Sequence, residues 1–181
     1  MERIKLWDKT FRPYIPQEQI EAAIRRIAEE LNRDNAGKDD IPILLCVLHG
    51  SILFTGELMK HIHFLCQIAS VKATSYVGTK STGNVGFDLG LTANVQGRRV
   101  YILEDIIDTG NTIVALNKLL TGEGAADIKV CTMIFKEEAY HQPIPIDYVG
   151  LRIENKFIVG YGLDYDEIGR NLKDIYILDQ E

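Results

Sequence analysis

The densest chemistry in the chain lies between Val100 and Thr112, where VYILEDIIDTGNT carries an apolar run into three carboxylates and a polar turn. Glu104 and Asp105 follow the run directly, and Asp108, Thr109, Gly110, Asn111 and Thr112 come after two isoleucines. A Thr-Gly-x-Thr turn that opens a helix offers backbone N–H groups and two hydroxyls to an anion, and the helix dipole adds to the attraction. Gly110 lets a phosphate approach the backbone closely. Three carboxylates within five residues are costly beside such a cradle unless a cation or ligand hydroxyls offset them. The combination predicts a ligand with a phosphate, a polyol and Mg²⁺. The plainer alternative is strand-end solvation, with Asp108 as a helix cap.

Two other phosphate motifs fail. Gly78, Thr79, Lys80 and Ser81 lack the spacing of a GxxxxGK[ST] loop. Gly122 and Gly124 mimic the start of GxGxxG, but the third glycine is absent and the segment closes a helix.

The elements that must position this motif can be read from periodicity. Ile20, Ala23, Ile24, Ile27, Ala28 and Leu31 recur at helical spacing within residues 17–33, behind Pro16. NRDNAGKDD is a solvated turn, and IPILLCVLHG reads as a strand buried on both faces. ILFTGELMKHI reads as a helix, FLCQIASVKATSY as a strand, RRVYILED as a strand, NTIVALNKLLTGEG as a helix and DIKVCTMIFK as a strand. Residues 77–88 form a long polar loop, the kind that serves as a lid or binding segment. After Pro143 and Pro145 come short apolar pieces and a tail rich in tyrosine and acids. This alternation argues an α/β fold with a mainly parallel central sheet flanked by helices, in one domain spanning 1–181. Its ligand site belongs beyond the carboxyl ends of the strands.

Composition narrows the function classes. The 181 residues are 46% hydrophobic and 25% charged, which excludes disorder and collagen-like repeats. A net charge of −6 argues against a general nucleic-acid binder. No apolar stretch approaches the roughly 18 residues of a membrane span. MERIKLWDKT lacks the apolar core of a signal peptide, so a cytoplasmic location is expected. Cys46, Cys66 and Cys131 each sit in an apolar run and read as small buried hydrophobes. His61 and His63 have no third ligand nearby and read as surface residues at a helix end.

The strand with Glu104 to Thr112 resembles the phosphoribosyl pyrophosphate (PRPP) signature of type I phosphoribosyltransferases. Similarity to their hypoxanthine-guanine branch extends over nearly the whole chain. It takes in Leu48, His49 and Gly50 after the first strand, Ser75 and Tyr76, Lys136 at a strand end, and the tail KFIVGYGLD with Arg170. The resemblance implies the type I fold, with a small base-binding hood built from the N-terminal segment and residues 140–181. It further implies a purine-salvage transferase that makes IMP, and GMP, plus pyrophosphate from PRPP and a 6-oxopurine. In that reading Glu104 and Asp105 hold ribose hydroxyls and Mg²⁺, and Thr109, Gly110, Asn111 and Thr112 bind the 5′-phosphate. Asp108 takes the purine N7 proton or orients the base; burial and two neighbouring carboxylates would suit it to the first role. Lys136 donates to the 6-oxo group, Phe157 stacks on the base and Ile158 offers backbone groups. Asp164 is a second metal ligand. His49, Gly50, Ser75, Tyr76 and Arg170 meet pyrophosphate, with a non-proline cis bond expected near His49. The 77–88 loop would shield an oxocarbenium-like transition state from water.

Two positions depart from the family pattern. Many members carry lysine where this chain has His49, so pyrophosphate affinity is expected to fall between about pH 6 and 8. Asn111 stands where relatives place a basic residue, which shifts phosphate binding onto backbone amides and hydroxyls. Partners are expected to be small molecules and further copies of the chain, as a dimer or tetramer. The rivals are a PRPP-fold regulator that binds RNA and a xanthine-preferring transferase. Lys136 and the tail favour the purine enzyme.

Overall fold

The computed structural model describes residues 2–75 and 85–179, and of residues 74, 75 and 85–89 the backbone alone. Ten strands and three helices follow in chain order among the described residues. β1 (Ile4–Leu6) and β2 (Lys9–Ile15) precede α1 (Gln17–Asn35); β3 (Ile43–Leu48), α2 (Ile52–Met59), β4 (Gln67–Ser75) and β5 (Val85–Leu89) come next. β6 (Arg99–Ile107), α3 (Asn111–Gly122) and β7 (Asp127–Phe135) carry the signature, and β8 (Tyr148–Arg152), β9 (Ile158–Val159) and β10 (Ile175–Leu178) end the chain.

The main sheet has the order β5-β4-β3-β6-β7-β8. β4, β3, β6, β7 and β8 run parallel, and β5 is an antiparallel edge. The five parallel strands and their flanking helices are the α/β architecture expected from the alternating pattern. Side chains alternate between the faces along each strand. Leu44, Tyr101, Leu103 and Met133 pack with α1 and α2 on one face. Ile43, Leu45, Val100, Ile102 and Val130 pack with Ile113, Leu116 and Leu120 of α3 on the other. From the centre, the chain steps one way through β3, α2 and β4 and the other way through β6, α3 and β7. Right-handed crossovers therefore put α2 and α3 on opposite faces and leave a crevice between the carboxyl ends of β3 and β6.

A second, smaller sheet has the order β1-β2-β10-β9 and joins the two ends of the chain. The bulge between Ile175 and Tyr176 falls where β10 meets Pro13, which has no N–H for the ladder. Asp174 ties this sheet to the body, accepting the Gln17 N–H at the start of α1 at 2.8 Å.

Several expectations need correction. Residues 85–88 of the supposed loop belong to β5; Tyr76 and residues 77–84 lie outside the described residues. β8 falls within 140–181 yet extends the main sheet rather than a hood. Cys46 and Cys131 are buried, but Cys66 is only half-buried because it precedes β4 instead of lying in it.

Candidate active site

Register brings the first two functional side chains together. In the β6–β7 ladder Ile107 stands beside Phe135, so the residues that leave each strand next are Asp108 and Lys136. Lys136 Nζ reaches Asp108 Oδ2 at 2.8 Å. The lysine is buried and its N–H also donates to Ile107 O at 2.9 Å, whereas 43% of the Asp108 side chain is exposed. The burial expected at Asp108 is therefore not found, and the charge bound to it is a cation. The strand's own end hides the preceding acids instead.

Glu104 is buried in the wall of the crevice. Burial first, and the adjacent Asp105 charge second, push its carboxyl well above the usual range. Asp105 is also raised by burial, against the Ile106 N–H that donates to its Oδ1 at 2.9 Å and the charge of Arg170. A buried carboxyl beside a half-buried one calls for a proton or a cation between them.

Glycine makes this crowding possible. A Cβ on Gly50 would lie 1.7 Å from Asp105 Oδ2, and one on Gly162 would lie 2.0 Å from the Gly50 carbonyl oxygen. Three distant segments thus stack at van der Waals distance. The Leu48–His49 peptide is cis, where the resemblance places such a bond. A cavity of about 270 Å³ opens here, lined by His49, Gly50, Glu104, Asp105, Thr112 and Arg170 among others.

Beside the cavity, Gly110 caps α3 in the left-handed region at φ +80°. Among the described residues no cap side chain bonds the first N–H groups of the helix, the kind of groups that can receive an anion. Thr109 and Asn111 are exposed beside it.

The tail residues divide. Arg170 lines the cavity while its Nη1 donates to Gly162 O and its Nη2 pairs with Asp164 Oδ1, both at 2.7 Å. The other Asp164 oxygen accepts the Glu167 N–H at 2.8 Å. Among the described residues no three candidate metal ligands cluster, so Asp164 stands apart from the Glu104–Asp105 pair. Phe157 is 45% exposed, backed by the edge-on Tyr165 ring at 5.9 Å, and Ile158 is buried in β9. Ser75 ends β4.

The model of the phosphoribosyl transferase domain matches residues 15–166, across both the main sheet and the signature. The chain belongs to the phosphoribosyltransferase family. Among curated phosphoribosyltransferases, it is 39% identical over 181 residues to the hypoxanthine-guanine-xanthine enzyme of Tritrichomonas foetus, covering 98% of this chain and 97% of that one. It is 39% identical over 166 residues to the hypoxanthine-guanine enzyme of Streptococcus thermophilus, covering 91% of each. A solved hypoxanthine phosphoribosyltransferase from Staphylococcus aureus superposes with a TM-score of 0.86 at 31% identity, over 93% of this chain and 91% of that one. The Trypanosoma cruzi hypoxanthine phosphoribosyl transferase gives 0.87 at 29% identity, over 97% and 95%.

Sequence reasoning missed what stands behind the Thr109–Thr112 turn of this phosphoribosyltransferase. Tyr140 packs against Gly110, and Gln142 Nε2 donates to Thr109 O at 3.0 Å. No local pattern in the sequence marks either residue.

Proposed function

We propose that the chain is a purine-salvage phosphoribosyltransferase that joins hypoxanthine or guanine to the ribose of PRPP and releases pyrophosphate. The observation that carries this reading is the Lys136–Asp108 pair, a donor-only ammonium 2.8 Å from an acceptor-only carboxylate. One edge of a 6-oxopurine offers an oxygen at position 6 and an N–H at position 7, the complement of that pair. Adenine would present its amino group to the ammonium, donor against donor. The names of the relatives support the same substrates.

In the proposed reaction N9 attacks the anomeric carbon, the bond from that carbon to pyrophosphate breaks, and Asp108 accepts the N7 proton. Lys136 polarises the 6-oxo group and Phe157 packs on the base face. The Thr109–Thr112 turn holds the 5′-phosphate, and Gly50, His49, Arg170, Ser75 and Tyr76 meet the pyrophosphate. Glu104 and Asp105 would hold Mg²⁺, which neutralises charge on the leaving pyrophosphate. Two carboxylates plus substrate oxygens suit that ion. Asp164 would join a second ion by giving up Arg170, which is then free for pyrophosphate.

The decisive experiment mixes the protein, Mg²⁺ and PRPP with hypoxanthine, guanine, xanthine, adenine or uracil and measures nucleotide. Product is expected with hypoxanthine and guanine and not with adenine or uracil; none with either oxopurine overturns the reading. The xanthine arm asks whether the chain shares the third base named for the Tritrichomonas enzyme. A homo-oligomer and a cytoplasmic location complete the proposal. The exposed Ile52, Leu53 and Met59 of α2 support the first, and light scattering on the purified chain tests it. Among the described residues no helix is long and apolar enough to cross a membrane.

A further inference from the structure

We propose that Gln142 and Tyr140 are positioning residues for the phosphate turn, acting on the Thr109–Gly110 peptide from the segment behind it. The inference rests on the proposed function, in which that turn holds the 5′-phosphate of PRPP.

The Thr109–Gly110 peptide is a planar group. In a trans peptide the C=O and the N–H point in opposite directions. Gln142 Nε2 donates to Thr109 O at 3.0 Å and so holds that carbonyl on its own side. The Gly110 N–H of the same peptide then points the opposite way; Gly110 caps α3, and Thr112 in the first turn of that helix lines the cavity. Were the peptide to flip, a carbonyl oxygen would face the phosphate in place of an N–H.

Tyr140 limits the same turn by contact. A Cβ on Gly110 would lie 2.4 Å from Tyr140 Cε2, so the ring is a wall against the glycine. The ring has its own anchors. Its hydroxyl donates to Ile144 O at 2.5 Å, and it meets Phe135 edge-on at 5.4 Å.

The segment that carries both residues starts at the base site. Phe135 ends β7, Lys136 follows, and a single 3-10 turn over Glu137–Ala139 leads to Tyr140. The Ala139 N–H returns to Lys136 O at 3.0 Å, which keeps that turn short and stiff. One stretch from Lys136 to Gln142 therefore spans from the ammonium that reads the base to the peptide that faces the phosphate. The arrangement suits a turn with Asn111 and no cation of its own, since such a turn depends on the direction of its amides.

Gln142→Met keeps the length of the side chain and removes the donor. We expect it to weaken ribose 5-phosphate binding, read by calorimetry, and to raise KM for PRPP, each by roughly fivefold. kcat stays within about twofold, and pyrophosphate affinity does not change, because that ligand does not use the turn. Gln142→Arg, which restores an N–H donor, recovers most of the loss. Tyr140→Phe keeps the ring and is expected to show a smaller effect of the same kind. Unchanged ribose 5-phosphate affinity in a folded Gln142→Met protein overturns the inference, and so does an equal loss for pyrophosphate. Failure of the parent reading looks different: the unaltered protein then makes no nucleotide from hypoxanthine or guanine.

Discussion

Glu104 with Asp105, and Asp108 with Lys136, are two ionisable pairs at the end of one strand, built on opposite terms. The first pair is of two acids, Glu104 buried and Asp105 half-buried with Gly50 pressed against it. The second is oppositely charged, and its carboxylate is partly open to solvent. A like-charged buried pair is incomplete alone and must recruit a proton or a cation. The Asp–Lys pair is neutral as it stands, so it can wait for a ligand that replaces each partner's hydrogen bond. One strand end thus carries two electrostatically opposite pairs, and under the proposed function the first would hold an ion and the second would read the base.

The largest effect is expected from Asp108→Asn. If the carboxylate takes the N7 proton, kcat for hypoxanthine falls by about 10²–10⁴ while PRPP binding is retained. Undiminished turnover would assign Asp108 to orientation alone.

Lys136→Met comes next. It should lower kcat/KM for hypoxanthine by roughly 10–100-fold, the consequence of an unpaired 6-oxo group, and narrow the margin against adenine. Selectivity that survives the substitution would place base reading elsewhere.

Glu104→Gln acts on the other pair. We expect PRPP binding in Mg²⁺ to weaken by about tenfold, the loss of one charged ligand. The same variant tests the raised carboxyl. A group whose value is raised by folding binds its proton more tightly in the folded chain. Its contribution is complete below the ordinary carboxylate range and is lost as pH climbs through the raised value. The melting temperature of Glu104→Gln relative to the unaltered, metal-free protein should therefore increase as pH is raised from about 4 to 8. A constant difference would show that Glu104 is not held in its neutral form.

The smallest effect is thermal. Mg²⁺ without PRPP should raise the melting temperature by about a few degrees at pH 8 and less at pH 5, where protons compete for the pair. In Glu104→Gln the Mg²⁺ shift should shrink.

Legibility followed sequence distance. The carboxylates and the Thr109–Thr112 turn were readable because they occupy one continuous stretch, Glu104 to Thr112, between a strand and a helix that announce themselves by periodicity. α1 and the buried strands were equally plain. The second sheet was not, since β9 and β1 have only two and three residues and the sheet closes only where β2 pairs with β10 from the far end of the chain. β2 does alternate, with Phe11 and Ile15 buried, but Pro13 interrupts the signal. β5 was hidden by glycines and polar neighbours. Tyr140 and Gln142 had no local mark at all.

The fold class, the three carboxylates and the Thr109–Thr112 turn were already legible in the amino-acid sequence, because each is a local pattern of residue types. Tertiary structure decided which acids are buried and which are paired. Glu104 was desolvated by the packing of β3 and β6, and Asp108 met Lys136 through the register of two parallel strands. Burial and cross-strand pairing depend on neighbours far along the chain, and spacing within one segment carries no record of them.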